Sequence, residues 1–467
     1  MKPKIDAQTL QQLQIDEGNK HLHQMDYNNA EVCFKKALRL KPVAGAYENL
    51  ASIRRRTGDP EGAIHYYKKA LKLSQHPELI QKSIASVFSE LKEYKKARTV
   101  LKAVLKEKPQ DLATIEMLID NALHASNFRD ASKYADLYAD LVYGSLPSLP
   151  SQNERDHQTG EIIQVSAARL KHDLDQFLYL KAQGVTVKHL DRLISDYESV
   201  IKSMTSPEYE KVSLTATQSS LIRPAYQKIL FRPHTPRVPR ALADEWNIAT
   251  APDDNMTAEE DYMQSQLGIT VIDNFLSEEA LAGLRKFCLE STIWFKDRYA
   301  YGRLGAFFRE GFNCPLLIQI AEEVKAAFPT IIGEKHTLLQ YWAFKFGHFQ
   351  PATYPHADFS AVNVNFWITP DEANLDESTG GMIIYDVEAP LNWDFDSFNN
   401  NGEKIVDYLE EKDAEGYVIP YKGNRALIFN SDLFHGTSPV QFKDSYDSRR
   451  INVTLLFGAR KDEVLKN

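Results

Sequence analysis

Residues 1–140 repeat a pattern of small and large apolar positions with a long, regular period. Four alanines recur at a nearly constant spacing of about 34 residues: Ala30, Ala63, Ala97 and Ala131. In the first three copies a large apolar residue follows four positions later: Phe34, Tyr67 and Leu101. Small residues recur where two helices approach closely, and the large residue fills the groove between them. The spacing therefore predicts a stack of helix–turn–helix units.

A different pattern begins near residue 268, where short runs alternate between apolar and polar residues. Turn residues separate six such runs: ITVIDNF, LLQYWAFKF, VNVNFWIT, GMIIYDV, NRALIFN and INVTLLFG. Period-two runs of this length indicate strands, and their number predicts an all-β sandwich or jelly roll. One helix interrupts them early, from Ser277 to Leu289, with Ser277 as its N-cap.

The intervening segment matches neither pattern. Its Pro/Ser-rich stretch at 146–152 marks a break, and apolar residues from Val187 to Met204 follow helical spacing. Prolines at every third position from 233 to 239 favour an extended strap. We therefore divide the chain into helical repeats (1–140), a helical connector with a Pro-rich strap (141–240) and a sheet domain (241–467).

Composition agrees with two unlike halves. All five tryptophans lie after residue 240, and 14 of the 21 glycines lie after residue 260. The fold class expected is α+β multidomain, with an N-terminal all-α superhelix and a C-terminal jelly roll. The formal net charge of −9 disfavours a general nucleic-acid binder, which needs basic surface.

Targeting and redox features indicate a cytoplasmic protein without a membrane span. The N-terminus has a basic start but no apolar core, and no apolar run approaches the roughly 20 residues that cross a bilayer. Three scattered cysteines, Cys33, Cys288 and Cys314, are too few for a disulfide framework. We expect them to be buried, reduced thiols.

The N-terminal period and pattern resemble the tetratricopeptide repeat, which implies a superhelix that binds a protein or peptide on its concave face. Asn19 and Asn49 match the asparagines with which some members hold a C-terminal carboxylate. The matching basic positions, however, are Ile15, Leu79 and Ser83. Without cationic partners a carboxylate gains little, so this clamp is not expected. The run Arg54–Arg56 is interpreted as a solvated helix face or a site for an acidic partner.

The candidate chemistry lies in the sheet half. His356-Ala357-Asp358 enters a strand-like segment, and a second histidine, His435, follows much later in the same half. Two histidines and a carboxylate on one side of a metal ion leave three coordination positions open, as non-haem Fe(II) oxygenases require. A second His-x-Asp, His189 to Asp191, falls on the predicted helix, where residues two apart point to different faces. On a strand they share a face, so the first copy is favoured.

The last strand, RRINVT, alternates polar and apolar residues, which places Arg450, Asn452 and Thr454 on one face. An arginine that points inward is costly unless an anion meets it, so a carboxylate ligand is expected at Arg450. Arg449 takes that place if the register shifts by one residue.

Together, HAD, LFHGTSPV and RRINVT resemble the 2-oxoglutarate/Fe(II)-dependent dioxygenases, a double-stranded β-helix family, over residues 260–460. The resemblance implies Fe(II) bound by His356, Asp358 and His435, with O2 as a substrate. It also implies 2-oxoglutarate anchored by Arg450, with Asn452 and Tyr341 as further contacts. Asp358 argues against halogenation, because halogenases of this type carry a small residue there.

Residues 388–416 form a long insertion whose aromatic residues Trp393, Phe395 and Phe398 either contact substrate from a lid or pack in a cluster of their own. Asn363, Asn365 and Trp367 alternate on one strand and are candidates for lining the pocket.

Three functions remain open. The first is a hydroxylase whose repeats recruit a protein or carrier-bound substrate. The second is a catalytically silent repeat scaffold for protein–protein interaction, which an intact ligand set disfavours. The third is dealkylation of nucleic acid, suggested by the Arg-x-Asn-x-Thr strand and disfavoured by the acidic charge.

Overall fold

The computed structural model describes residues 6–144, 162–244, 256–297 and 300–460. It contains two compact units, Met1–Tyr134 and Ala135–Asn467, which are considered separately. The break predicted at 146–152 lies outside the described residues. In the described part of the chain, no helix is long and apolar enough to cross a lipid bilayer.

The first unit consists of helices joined by short turns. They are α1 (Ala7–His23), α2 (Tyr27–Leu40), α3 (Ala44–Arg56), α4 (Pro60–Leu71), α5 (Pro77–Glu90), α6 (Tyr94–Glu107), α7 (Leu112–His124) and the start of α8 (Phe128–Tyr143). Asp6, Asp26 and Asp59 cap three of these helices, each accepting a hydrogen bond from the backbone N–H three residues later.

The repeated alanines have the packing role that their spacing predicted. Ala30, Ala63, Ala97 and Ala131 are all fully buried. Gly18 of α1 faces the ring of Phe34, and a Cβ added there would lie 2.7 Å from a ring carbon. Small side chains therefore permit the close helix contacts of this unit.

The second unit combines helices with antiparallel sheets. Its helices are α9 (Ala167–Ala182), α10 (Leu190–Ser203), α11 (Ala216–Ile222), α12 (Ala258–Gln264), α13 (Glu278–Glu290), α14 (Pro315–Ala327) and α15 (Gly402–Glu411). Its strands are β1 (Gln164–Val165), β2 (Val212–Ser213), β3 (Ile269–Ile272), β4 (Leu304–Phe307), β5 (Leu338–Lys345), β6 (Phe349–Gln350), β7 (Ser360–Trp367), β8 (Met382–Glu388), β9 (Gly416–Ile419), β10 (Ala426–Asn430), β11 (Leu433–Thr437), β12 (Val440–Gln441) and β13 (Ile451–Ala459).

Two sheets build the core of this unit. The larger has the strand order β3-β10-β7-β13-β5-β4, and the smaller has the order β11-β8-β9. One hydrophobic cluster draws Trp367 and Phe429 from the larger sheet and Met382 and Ile384 from the smaller, so the sheets share a core. Each of the six predicted runs contains a strand of these sheets, and Ser277 caps α13 as expected.

The segment interpreted as a connector packs within the second unit. Gln176 of α9 donates hydrogen bonds to the carbonyls of Leu289 (3.1 Å) and Ser291 (2.9 Å). The Pro-rich stretch contains neither helix nor strand, and there Val238 N–H donates to Gln319 Oε1 at 2.9 Å. The compact unit thus begins at residue 135, well before the boundary at 241 that composition suggested.

Candidate metal and anion site

Two histidines and one aspartate from distant parts of the second unit converge beside the shared core. His356 and His435 are joined by two backbone hydrogen bonds, of 2.9 and 2.8 Å. His435 Nε2 lies 3.5 Å from Asp358 Oδ2. One ligand atom from each of the three residues lies within 4.8 Å of the other two. The structure therefore brings together the metal-ligand set that the sequence pattern predicted.

The surroundings of these side chains fix their orientation and shift the pKa values of two of them. His435 Nδ1 lies 2.9 Å from the carbonyl of Leu433, a contact that fixes the orientation of this ring with Nε2 toward Asp358. Burial, followed by the neighbouring charge of His435, lowers the pKa of His356 to about 4, so this imidazole is neutral at pH 7. Burial alone would raise the pKa of Asp358, but hydrogen bonding and charge interaction with His435 outweigh it and lower that pKa. Asn363 Nδ2 also donates to Asp358 Oδ2 at 2.7 Å.

The second His-x-Asp pair forms no such site. His189 precedes α10 in the left-handed backbone conformation, with φ of 62°. Asp191 forms an ion pair with Lys181 at 2.7 Å. Contrary to the expectation from the sequence, the converging copy does not lie within a strand: His356 forms an isolated β-bridge with His435, and Asp358 lies two residues before β7.

Arg450 is a buried cation whose hydrogen-bond partners are neutral. Its guanidinium donates to the carbonyls of Gly380 and Gly381, and to Asn452 Oδ1 at 3.1 Å. Among the described residues, no carboxylate forms an ion pair with it, and its side chain is 1% exposed. Burial lowers the pKa of Arg450 to about 9. A buried guanidinium in these surroundings has the chemistry of an anion-binding group.

Arg449 is excluded from this role by its partner. Arg449 Nη2 donates to Asp175 Oδ2 at 2.9 Å, outside the shared core. The alternation along β13 therefore runs as predicted, with Arg450, not Arg449, pointing inward.

The structure does not bring Tyr341 to the site. In the pairing of β5 with β13, Tyr341 lies opposite Leu455, whereas Phe344 lies opposite Asn452. Because directly paired residues share a face, Tyr341 lies on the face opposite Asn452. Its hydroxyl donates to Asn313 Oδ1 at 2.9 Å. The expected contact between Tyr341 and 2-oxoglutarate is thus corrected by the strand register.

Aromatic rings surround Arg450, and two of them, Phe346 and Tyr421, were not among the residues that the sequence predicted. The centroids of three rings lie 4.5, 5.7 and 5.9 Å from its guanidinium carbon: Phe346, Trp367 and Tyr421. Trp367 was proposed as a pocket residue, and its buried Nε1 has no hydrogen-bond partner among the described residues. Phe346 ends the run LLQYWAFKF, and strand alternation within that run was the available signal.

Two asparagines on β7 share the face of Trp367. Asn363 contacts the metal-ligand set through Asp358, as described above, and Asn365 Nδ2 donates to Thr454 Oγ1 at 2.9 Å. Residues two apart on a strand share a face, so both asparagines line the same side as the predicted pocket.

The insertion at 388–416 packs into a hydrophobic cluster that also includes Ala357 and Phe434, neighbours of His356 and His435 in the chain. Phe398 is buried with Ile405 and Leu409 of α15, and Trp393 packs against this group. Phe395 is half exposed. The insertion also contacts the metal-ligand segment, because Ala357 N–H donates to the carbonyl of Phe398 at 2.9 Å. Of the two interpretations left open, the structure favours packing in a hydrophobic cluster for Trp393 and Phe398, although this cluster is shared with residues outside the insertion.

In the first unit, the asparagines that suggested a carboxylate clamp bind each other. Asn49 Nδ2 donates to Asn19 Oδ1 at 2.9 Å. Arg54 forms an ion pair with Glu31, and Arg55 forms one with Glu90. These arginines therefore contribute to a helix face with mixed charge.

Comparisons with known proteins concern the repeats. A family model of the tetratricopeptide repeat matches residues 55–121, and no curated protein matches the sequence significantly. The structure of YrrB, titled a TPR protein with an unusual peptide-binding site, is 18% identical, with 27% of this chain and 65% of that chain covered and a TM-score of 0.24.

PilF of Pseudomonas aeruginosa is 20% identical, covering 42% of this chain and 86% of that one, with a TM-score of 0.26. Residues 41 to the end of MamA from Desulfovibrio magneticus RS-1 are 17% identical, covering 42% and 97%, with a TM-score of 0.26. The family model and the repeated helix pairs together identify tetratricopeptide repeats in the N-terminal unit. The match to the family model ends well before the sheets, so the function of the second unit has to be inferred from the residues of that unit.

Proposed function

We propose that the second unit is a 2-oxoglutarate-dependent, non-haem Fe(II) dioxygenase of the hydroxylase type, built on a double-stranded β-helix. One juxtaposition carries the proposal. A His/Asp/His cluster and a buried arginine without a carboxylate partner among the described residues adjoin the same hydrophobic core. The first feature suits a metal ion and the second an organic anion.

The donor set fits Fe(II). His356 and His435 would each supply a neutral nitrogen and Asp358 a carboxylate oxygen, which leaves three coordination positions for cosubstrate and O2. When bound, Fe(II) would activate O2, the oxidant, for hydroxylation of a C–H bond, with one oxygen atom entering the product and the other entering the succinate that forms, together with CO2, from 2-oxoglutarate. The hydrogen bonds from Asn363 and to Leu433 hold two of the ligands in orientation.

The position of Arg450 fits a small dicarboxylate. Arg450 binds the carbonyls of Gly380 and Gly381 just before β8, and His435 pairs with Ile384 of that strand. The three residue steps from Gly381 to Ile384 span roughly 10 Å of extended strand. Arg450 would therefore hold the far carboxylate of 2-oxoglutarate, with Asn452 beside it, while the 2-oxo acid end faces the metal ligands.

Apolar residues line this site and would limit its access to water. Phe429 lies edge-on to His435 with ring centroids 4.8 Å apart, and Phe346 covers Arg450. Excluding water strengthens each charge interaction in the site and protects a reactive oxidant from side reactions.

The repeats supply the second part of the proposal. Tetratricopeptide units present surfaces on which proteins and peptides bind. We infer that residues 1–134 recruit a protein or carrier-bound substrate for hydroxylation. The family-model match to these repeats also favours the alternative, a repeat scaffold for protein–protein interaction whose second unit is silent.

Ligand binding by the full chain separates the two. Titration with Fe(II) and 2-oxoglutarate under anaerobic conditions is expected to show one equivalent of each. His356→Ala should abolish metal binding, and Arg450→Gln should abolish 2-oxoglutarate binding while metal binding persists. Arg449→Gln is the matched control, because Arg449 is paired with Asp175 outside the core.

With O2 admitted, the loaded protein should release succinate slowly even without substrate. Absence of both stoichiometric binding and succinate release from a folded chain would contradict the dioxygenase proposal and leave the scaffold.

A further inference from the structure

The indole N–H of Trp367 is a buried hydrogen-bond donor without an acceptor. Trp367 is fully buried, and in the described part of the chain its Nε1 has no hydrogen-bond partner. The ring of Tyr421 stacks on the indole with centroids 5.3 Å apart, but the Tyr421 hydroxyl donates to the Thr369 carbonyl. Because an indole nitrogen only donates, and buried donors in folded proteins are nearly always paired, this N–H requires an acceptor from outside the chain.

Strand register places this donor beside Arg450. In the pairing of β13 with β7, Trp367 lies opposite Asn452, so the two side chains share the inner face of the larger sheet. Asn452 Oδ1 accepts from the guanidinium of Arg450 at 3.1 Å, and the guanidinium carbon lies 5.7 Å from the Trp367 ring centroid. The unpaired indole N–H and the buried cation therefore belong to the same end of the site.

Arg450 also keeps donors for a ligand. Of the five N–H groups of a guanidinium, three donate to protein oxygens here, namely the carbonyls of Gly380 and Gly381 and the side-chain oxygen of Asn452. Two guanidinium N–H groups and one indole N–H thus remain without acceptors among the described residues. Three donors and one positive charge in a hydrophobic cluster suit a carboxylate, whose two oxygens accept several hydrogen bonds.

Position along β7 distinguishes the two carboxylates of 2-oxoglutarate. Asn363 contacts the proposed metal ligand Asp358, whereas Trp367 lies four residues further along the strand, a distance of roughly 13 Å. The carboxylate at the metal end therefore belongs beside Asn363, and the far carboxylate belongs beside Trp367.

We propose that Trp367 donates its indole N–H to the far carboxylate of 2-oxoglutarate, an inference that rests on the dioxygenase function proposed above. Arg450 supplies the charge and two hydrogen bonds, and Trp367 adds a third donor whose position is fixed by stacking on Tyr421. Trp367 thereby contributes to the selection of dicarboxylic over monocarboxylic 2-oxo acids.

Two probes that differ only at the far end test the inference: 2-oxoglutarate and 2-oxopentanoate, which carries a methyl group in place of the far carboxylate. Each is titrated into the full chain by anaerobic calorimetry, with Zn(II) in place of Fe(II). Trp367→Phe removes the N–H and keeps a buried aromatic ring. It should weaken 2-oxoglutarate binding about tenfold, as expected for a hydrogen bond to a charged group, and leave the affinity for 2-oxopentanoate unchanged.

Trp294→Phe is the matched control, because Trp294 is also buried and its Nε1 already donates to the Cys288 carbonyl at 3.1 Å. This variant should keep the wild-type affinity for both probes. Nuclear magnetic resonance of the wild type gives a second measurement. Of the indole N–H signals of the five tryptophans, one should move downfield with 2-oxoglutarate and stay in place with 2-oxopentanoate, and it should be absent from Trp367→Phe.

Equal weakening of both probes by Trp367→Phe would limit Trp367 to a packing role and overturn the inference. An unchanged affinity for 2-oxoglutarate, or indole signals that all stay in place, would assign the N–H to a buried water molecule and overturn it as well. Failure of the dioxygenase proposal is distinguishable, because the wild type itself would then bind neither the metal ion nor 2-oxoglutarate, and both proposals would be wrong.

Discussion

At the scale of single residues, Arg450 combines a cost to stability with a proposed gain in binding. A cation loses hydration on burial, and the lowered pKa of about 9 reflects that loss. The neutral carbonyls and aromatic rings around Arg450 offset this lost hydration only in part, whereas a bound carboxylate would offset it fully. The ligand-free protein should therefore be less stable than one with an apolar residue at this position.

Arg450→Met tests this reasoning. Replacing a buried ion pair by apolar residues of similar volume often stabilises a protein by about 1–4 kcal/mol, and Arg450 lacks even a carboxylate partner among the described residues to offset its lost hydration. We expect the melting temperature of the ligand-free chain to rise by a few degrees, although the Gly380 and Gly381 carbonyls lose donors. The increase in melting temperature that 2-oxoglutarate is expected to give the wild type should be absent in Arg450→Met. Arg449→Met should show no such rise, and a large destabilisation by Arg450→Met would contradict the argument.

His356 should make the stability of the metal-free protein depend on pH. Its pKa is about 4 when folded, against about 6.5 in an unfolded chain. Above pH 6.5 the imidazole is neutral in both states and contributes nothing to the pH dependence. As the pH falls from 6.5 to 4 the unfolded chain takes up a proton that the folded one does not, so the free energy of unfolding decreases by about 3 kcal/mol at most.

His356→Gln should remove that contribution. In EDTA, the difference in unfolding free energy between wild type and variant should change steadily between pH 6.5 and 4 and stay constant above pH 7. A loss of packing would shift the variant's curve without altering its slope. Parallel curves across the whole range would therefore show that His356 is not held neutral.

At the scale of elements, the 388–416 insertion braces the metal-ligand segment. Ala357, between two of the proposed ligands, donates its N–H to the Phe398 carbonyl, and its own carbonyl accepts from Asn399 Nδ2 at 2.8 Å. Phe398 is itself fixed in the cluster with Ile405 and Leu409. The insertion thus orients His356 and Asp358 through the backbone that joins them.

Asn399→Ala should weaken Co(II) binding about tenfold, in the range typical of residues that orient metal ligands. Asn399→Asp should weaken it further, because an ionised carboxylate repels the Ala357 carbonyl. A changed visible spectrum of bound Co(II) would report altered ligand geometry, which a general loss of stability would not produce. Asn400→Ala is the neighbouring control, since Asn400 bonds the exposed Asp396 instead. Equal effects in both variants would exclude a specific role for Asn399.

Local patterns predicted the elements well, whereas contacts between distant elements lay beyond them. The spacing between Ala30 and Ala63 predicted how the helices pack, because the helices that carry them are joined by short turns and are neighbours in the sequence. Alternation in RRINVT likewise fixed the faces of Arg450 and Arg449. The prediction for Tyr341 was wrong because its face relative to Arg450 depends on the register of β5 against β13, a strand far away in the sequence. The contact between Asn399 and Ala357 also joins residues that are distant in the sequence.

At the scale of the whole molecule, each compact unit has a hydrophobic core of its own. Clusters around Phe34 and Tyr67 lie in the first, and clusters around Tyr197, Trp367 and Phe398 lie in the second. The cluster at Tyr197 comes from the segment that composition had suggested as a connector. Composition indicated where the chain changes from helix to sheet. The boundary of the second compact unit, however, depends on which residues pack into its hydrophobic core.

Two fragments of the chain test where the second unit begins. Residues 127–467, which keep α8 whole, should fold and bind Co(II) and 2-oxoglutarate as the full chain does. Residues 241–467 should fail to fold, because they lack α9, whose Gln176 satisfies the Leu289 and Ser291 carbonyls. They also lack Arg169, which bonds the Trp294 carbonyl. Circular dichroism and metal titration of both fragments check this, and cooperative unfolding of 241–467 would contradict it, since buried carbonyls without donors cost about 1–3 kcal/mol each.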